Sequence, residues 1–423
     1  VSILARVLDF LGLERNVAMN IAAGSLEAIG VCLWAGYLVK VLDAMGAAGW
    51  MIGFYATVSG LMAAVAPYPG GLLSDRLGRG RALIVGSCLS LMGFGIYLVA
   101  PTWWLFIPGA VLLSFAGNFR FMGSQALVSD QTRPRRRTIS MAVGNVLGRL
   151  PGIISPPLGG ALIAFMVARS KSMAQAGISE DALQTQGLLH GFRWAMGITM
   201  ILVCASILLQ RRYYRLPPTG QNSGPVHPIR VFRSMHSDLK RLLLADSVVR
   251  IGSNLHMIFV PLYVLNVLKR GYLEMGSLLS LMTATSVIMY IPAAKLADRT
   301  GQASRRPFVA TTFLFFAAFP LALVLAPSPI WLIGVFVIAG LRELGEPARK
   351  ALIMDLAGDR EGLGRRIGAY YMVRGIVVFP AVFLGGLLWS WKPQAPFVLG
   401  SLISTAGFVW FVLERVLFAR EAS

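Results

Sequence analysis

The sequence predicts an all-α integral membrane protein, with twelve transmembrane helices in two pseudo-symmetric six-helix bundles. Three observations lead there. Of 423 residues, 56% are hydrophobic and 14% charged, against about 25% charged in a soluble domain. Long apolar runs such as 84–100 and 308–326 approach the roughly 20 residues that carry a helix across a bilayer. The two halves of the chain also resemble each other. The same composition excludes collagen, a coiled coil, a disordered tail and a disulfide mini-protein.

Twelve spans follow from the apolar runs, at about 17–41, 47–72, 80–100, 104–129, 138–168, 190–210, 241–267, 273–296, 307–326, 330–354, 364–389 and 394–416. They are helices because an unpaired backbone group costs several kcal/mol in lipid, and a helix pairs its own. A membrane β-barrel would show short alternating segments instead. The first residues, 1–15, mix charge with short apolar pieces and do not read as a cleavable signal peptide. Ile3, Val7 and Leu11 there have the spacing of a helix lying on the membrane surface. Residues 211–240 change composition, with Arg211, Arg212, Pro217 and Pro218, and read as a cytoplasmic linker. The expected organisation is therefore an N-terminal bundle 1–210, a linker 211–240 and a C-terminal bundle 241–423. The end of the linker, from Ile229 through Phe232 and Met235 to Leu239, has helical apolar spacing suited to the membrane surface.

The formal charge of +20 suggests a nucleic-acid binder at first. Basic stripes on such proteins lie on water-soluble modules, whereas here Lys and Arg punctuate apolar segments. Most fall in the tails, the linker and the loops after even-numbered spans. Lys40, Arg169, Lys171, Arg193, Lys269, Arg270 and Lys392 fall on the other side. The basic side is cytoplasmic, which puts both termini inside a plasma (inner) membrane. Cys32, Cys88 and Cys204 all lie in apolar runs and offer neither a disulfide framework nor metal spacing.

The internal repeat has specific marks. Asp75-Arg76 matches Asp298-Arg299, Tyr37 matches Tyr263, and Ala126-Leu127 with Asp130 matches Ala351-Leu352 with Asp355. Gly159-Gly160 matches Gly385-Gly386, all at a nearly constant offset. Two similar six-helix bodies are what a transporter needs if they rock about a site between them.

Between spans 2 and 3 runs Gly71-Leu72-Leu73-Ser74-Asp75-Arg76-Leu77-Gly78-Arg79-Gly80-Arg81. It resembles the signature loop of the major facilitator superfamily, G-x-x-x-D-R-x-G-R-[RK], with the last basic position shifted by one. A degenerate copy, 294–301, lies between spans 8 and 9. Gly71 and Gly78 allow close approach and a tight turn, and Asp75 at a helix end can pair with an arginine or a helix N-terminus. The expected conformational latch is Gly71, Asp75, Arg76, Gly78, Arg79, Asp298 and Arg299. Arg120-Phe121-Met122-Gly123 is similar to the superfamily's R-x-x-q-G pattern with one residue missing. Ser155-Pro156-Pro157-Leu158-Gly159-Gly160 is similar to the G-P-x-x-G-G motif of its proton-coupled exporters, with Ser for the first Gly. Ordinary small-residue helix packing explains that stretch equally well.

Charged residues inside spans are costly and by default face a cavity or a partner. The candidates are Glu27 (span 1), Arg120 (span 4), Arg149 (span 5), Asp246 and Arg250 with Asn254 and His256 (span 7), Arg342, Glu343 and Glu346 (span 10), and Arg374 (span 11). Glu27 is either a proton carrier or the permanent partner of Arg120 or Arg149. Glu343 and Glu346, three apart, are expected on one helical face, one of them carrying protons and another locking spans 10 and 11 through Arg374. Asp246 and Arg250 are expected as a pair within one helix. Arg120, Arg149, Asn254, His256, Arg342 and Arg374 are the expected substrate-cavity residues, and Glu27, Glu343 and Glu346 the proton-coupling ones. In the superfamily's fold, spans 1, 4, 7 and 10 surround the central cavity and 2, 5, 8 and 11 wall it, which these positions fit.

No H-E-x-x-H, C-x-x-C or G-x-S-x-G occurs in the sequence, so no enzyme, metal or cofactor is expected. The resemblance implies a monomeric secondary transporter working by alternating access, with protons, a small organic molecule and the lipid bilayer as partners and no nucleic acid. Proton-driven export of amphipathic molecules is the first expectation. A symporter or facilitator for an organic anion, or a lipid flippase of the same superfamily, is the alternative.

Overall fold

A computed structural model describes residues 14–66, 79–131, 144, 146–173, 178–213, 235–297, 302–357 and 363–418. Among these residues there is no strand. The helices are α1 (Arg15–Trp34), α2 (Leu38–Ala44), α3 (Gly49–Val65), α4 (Arg79–Val99), α5 (Phe106–Gln131), α6 (Pro151–Ser172), α7 (Glu180–Tyr213) and α8 (Ser237–His256). They continue with α9 (Tyr272–Ala297), α10 (Gln302–Val324), α11 (Pro329–Leu341), α12 (Glu346–Leu356), α13 (Leu363–Val378), α14 (Pro380–Trp391) and α15 (Ala395–Phe418). Ten helical stretches are long and apolar enough to cross a membrane, and α3 is a shorter apolar helix. The surface helix expected over the first residues, and most of the linker, lie outside the described residues.

Three departures from the expected spans have local causes. Span 6 starts about ten residues early, at Glu180, because Ser179 Oγ accepts from the Ala182 amide at 3.3 Å and Glu180 and Asp181 suit the positive helix end. Span 7 starts at Ser237, so Met235 and Leu239, expected on the membrane surface, are instead buried in a core with Leu242, Phe313 and Leu352. Span 10 is broken. Arg342–Gly345 form a turn between α11 and α12, since Pro347 lacks the amide that would continue the helix and fits only its first turn.

The chain forms two compact units. The first takes Val1–Ala47, Val58–Ser223 and Lys269–Ser280, and the second Ala48–Thr57, Gly224–Leu268 and Leu281–Ser423. In the first, Trp34 packs edge-on against Phe94, Tyr97 and Phe192, with ring centroids 5.8–5.9 Å apart. In the second, α8 lies against α14 and α15.

Each unit uses its Gly-Gly pair in the same way. In the first, a Cβ on Gly159 would fall on the Leu33 carbonyl of α1, and one on Gly160 would meet the Tyr272 carbonyl of α9. In the second, a Cβ on Gly385 would fall on the Leu255 carbonyl of α8, and one on Gly386 would lie 2.6 Å from the Gly49 carbonyl of α3. Small residues let helix backbones touch where apolar side chains gain nothing over lipid. A few residues past each first contact the helix tightens into a 3-10 turn, Ala35–Tyr37 in one unit and Met257–Phe259 in the other. Pro156 and Pro157 lie inside α6, and Pro157 leaves the Ile153 carbonyl without its helical donor. Ser280 Oγ supplies one at 2.5 Å. The buried Tyr37 hydroxyl lies 2.9 Å from the Pro156 carbonyl and 3.0 Å from that of Tyr272.

Gly159→Ala and Gly385→Ala should each cost about 1–3 kcal/mol, the usual cost of overpacking, seen as a lower Tm in detergent. Gly24→Ala, whose added Cβ would meet nothing within 4 Å, should leave Tm unchanged.

Candidate functional site

Within the first unit Glu27 is buried on α1 at 2% exposure. Its carboxylate forms an ion pair with Arg120 of α5. Glu27 Oε1 also accepts from Ser87 Oγ of α4 at 2.5 Å and from Ser206 Oγ of α7 at 3.1 Å. One turn below Ser206, Gln210 donates from Nε2 to both serine oxygens at 3.1 Å. Ser87 directs its proton to Glu27, and Ser206 shares its own between Glu27 and the Ala23 carbonyl, each at 3.1 Å. Every group around the carboxylate is therefore a donor, an arrangement matched to a charged acceptor. Of the expected alternatives for a partner of Glu27, the structure selects Arg120.

Glu27, Arg120 and Gln210 line a cavity of about 520 Å³ inside this unit. Asn20 and Ser124, joined at 2.7 Å, add polar wall, while Ile21, Val31 and Phe121 add apolar wall. Gly144 and Gly148 also line it. Arg149 is half-buried in the helical segment leading to α6.

The second unit holds a denser cluster. Asp246 of α8 is fully buried. Its Oδ2 accepts from Arg349 Nη1 at 2.6 Å, Arg374 Nη1 at 3.0 Å and the Tyr370 hydroxyl at 3.0 Å. Arg349, 1% exposed, also grips Glu346 through Nη2 and Nε at 2.6–3.0 Å. Arg250 reaches Glu346 Oε2 at 3.3 Å and lies 3.6 Å from Asp246 Oδ1. A buried charge is tolerable only when neutralised in place, and here two helices and the start of a third converge to do that.

Three expectations change. Glu343 and Glu346 do not share a helical face, because Glu343 lies in the turn and Glu346 opens α12. Arg374 is held by Asp246 of span 7 rather than by an acid of span 10. Asp246 and Arg250 do approach each other, but as one edge of this larger network. Tyr370 was missed by the sequence reading; its spacing of four from Arg374 places both on one helical face, and that was the available signal.

The other expected residues sit apart. Arg342, 7% exposed, donates to the Ala339 carbonyl at 3.0 Å and to the Met257 sulfur at 3.3 Å. Its guanidinium stands over the Phe319 and Phe316 rings at 4.6 and 5.1 Å. His256 is buried, with Nδ1 3.0 Å from the Gly252 carbonyl and its ring against Phe319 and Phe397. Asn254 donates to the Arg250 carbonyl at 2.8 Å. Gly71, Asp75, Arg76, Gly78, Asp298 and Arg299 lie outside the described residues, and of Arg79 only the backbone is described. Among the described residues no group of His, Cys, Asp and Glu could hold a metal ion.

Ion pairs buried within long apolar helices, one of them lining a cavity, define a polytopic membrane protein built to move a solute. The chain belongs to the Major Facilitator Superfamily, whose family model matches residues 16–244 and again 242–421, and it is a multi-pass solute transporter of that superfamily. No curated protein sequence matches it. Among solved structures it is similar to a POT family transporter in complex with a thioalcohol-conjugated peptide, with TM-score 0.73, 12% identity and 96% of each chain covered. It is similar too to a bacterial homologue of the human lysosomal transporter Spinster in an inward-facing, occupied conformation, with TM-score 0.67, 12% identity and 96% of each chain covered. A third is the human organic anion transporter MFSD10 (TETRAN), with TM-score 0.62 and 14% identity over 94% of this chain and 99% of that one. At such identities the likeness is one of fold.

Arg349→Met should destabilise the protein by about 3–5 kcal/mol by removing the buried guanidinium that Asp246 and Glu346 share, read as a fall in Tm. Asp246→Asn combined with Arg349→Met should lose less than the sum of the two single changes, since the pair shares its cost.

Proposed function

We propose that the chain is a proton-coupled secondary transporter that exports small amphipathic organic molecules by alternating access. The observation that carries this reading is the Glu27–Arg120 pair in the wall of a cavity of about 520 Å³. That volume is in the range of small-molecule sites, and its mixed polar and apolar lining suits an amphipathic guest. A proton on Glu27 cancels the charge that holds Arg120, freeing the arginine and loosening α1 from α5. Substrate entering beside the pair and a proton leaving it are then competing events, which is the requirement for exchange. Arg120 and Arg374 are already matched to Glu27 and Asp246, which weighs against an organic anion as the cargo.

The same reading gives two bundles, 1–210 and 241–423, joined by the linker 211–240, in a monomer with both termini on the cytoplasmic side of an inner membrane. In this scheme Arg149, Asn254, His256 and Arg342 and the acids Glu343 and Glu346 serve the transport path without lining that cavity. The loop with Gly71, Asp75, Arg76, Gly78 and Arg79, and its partner with Asp298 and Arg299, act as the conformational latch.

In proteoliposomes Glu27→Gln should abolish pH-driven accumulation yet permit downhill exchange. Accumulation against a gradient by the variant would place coupling elsewhere, and wild-type flux indifferent to pH would replace the exporter with a facilitator. Asp75→Asn should slow turnover about tenfold or more, a change of about 1.4 kcal/mol in the barrier, while equilibrium binding stays intact. An equal loss of binding would remove the latch role.

A further inference from the structure

The helix α7 has 34 residues, about 50 Å at 1.5 Å each, whereas bilayer hydrocarbon is about 30 Å thick. Counted back from Arg211 and Arg212, about 20 residues reach the level of 190–194. The start of α7 therefore stands at headgroup depth, antiparallel to the end of α6. Gly191 brings it against Ile163, where an added Cβ would lie 2.9 Å from the Cα, and Gly187 brings it against Val167. Beside this seam opens a cleft of about 500 Å³ lined by Met166, Arg169 and Ser170 of α6 and Gln186, His190 and Trp194 of α7.

The charge in the cleft is one-sided. Arg169 and His190 are exposed, and among the described residues no carboxylate lines the cleft and neither side chain makes an ion pair. Neighbouring Lys171 is already held by Glu180 at 2.6 Å. Deeper along the same face Phe165, Ile198 and Ile201 are exposed by 60%, 37% and 70%, spaced so that each continues the line of Arg169 or Trp194. A guanidinium and an imidazole at headgroup depth, an indole beside them and an apolar track beneath match a phosphate with its acyl chains. We propose that this cleft binds an anionic phospholipid of the surrounding leaflet. Its phosphate sits against Arg169 and His190, and one acyl chain runs along Phe165, Ile198 and Ile201.

Native mass spectrometry of the full chain in detergent, titrated with phosphatidylglycerol or phosphatidylcholine, tests this. Phosphatidylglycerol should bind about tenfold more tightly, and Arg169→Gln with His190→Gln should lower its affinity about tenfold at unchanged Tm, the worth of a charge-assisted hydrogen bond. Arg169→Lys should retain most of the binding, and Arg169→Gln alone gives the same comparison in a smaller step if the double variant fails to fold. Equal binding of the two lipids, or unchanged phosphatidylglycerol binding by the glutamine variants, overturns the proposal. Displacement of phosphatidylglycerol by millimolar inorganic phosphate assigns the cleft to a free anion and overturns it as well.

Discussion

A guanidinium buried within membrane-spanning helices has to be neutralised where it sits, and Arg349 organises the second unit around that need. Its three donor nitrogens reach carboxylates on α8 and at the start of α12, so those two helices cannot separate without stranding charge. Tyr370 and Arg374 bring α13 to the same Asp246 oxygen. The turn at 342–345 belongs to this arrangement. By restarting the helix at Glu346, it puts the carboxylate in a first turn, where the helix dipole favours it, and within three residues of Arg349.

The first unit meets the same need with less charge. One carboxylate and one guanidinium form the pair, and hydroxyl and amide groups supply the rest. That difference separates their chemistry. In the second unit Asp246 and Glu346 each meet more than one arginine and share Arg349 between them, so their charge is spread over a network. In the first, Arg120 is the one cation paired with Glu27 among the described residues, and the pair lines a cavity.

Fold and helix order were legible in the sequence because the bilayer permits few alternatives: long apolar runs, loop charges and repeated Gly-Gly and Asp-Arg pairs suffice. The two glycine pairs matched by offset make matching backbone contacts within their own units. What the sequence hid was local. Pro347 breaks span 10, yet a proline near a charge cluster in an apolar run reads as a kink as readily as a stop. Individual charges were visible, but their pairing was not, because Asp246 and Arg349 are separated by 103 positions and only packing joins them. The polar half of the Glu27 site was similarly hidden, since Ser87, Ser206 and Gln210 look like ordinary span residues until three helices meet.

The hydrogen-bond arithmetic at Gln210 has a directional consequence. Both amide protons are committed to the serines, and the amide oxygen, Oε1, is buried without a partner. A neutral Glu27 would be a donor seeking an acceptor, and each serine oxygen keeps one lone pair for it. Rotating the Gln210 amide by half a turn would point Oε1 at the hydroxyls and draw their protons away from Glu27. The polarity of the whole chain would then run backwards, with no helix having moved. The orientation of one amide on α7 and the charge on α1 would thus be linked through two hydroxyls.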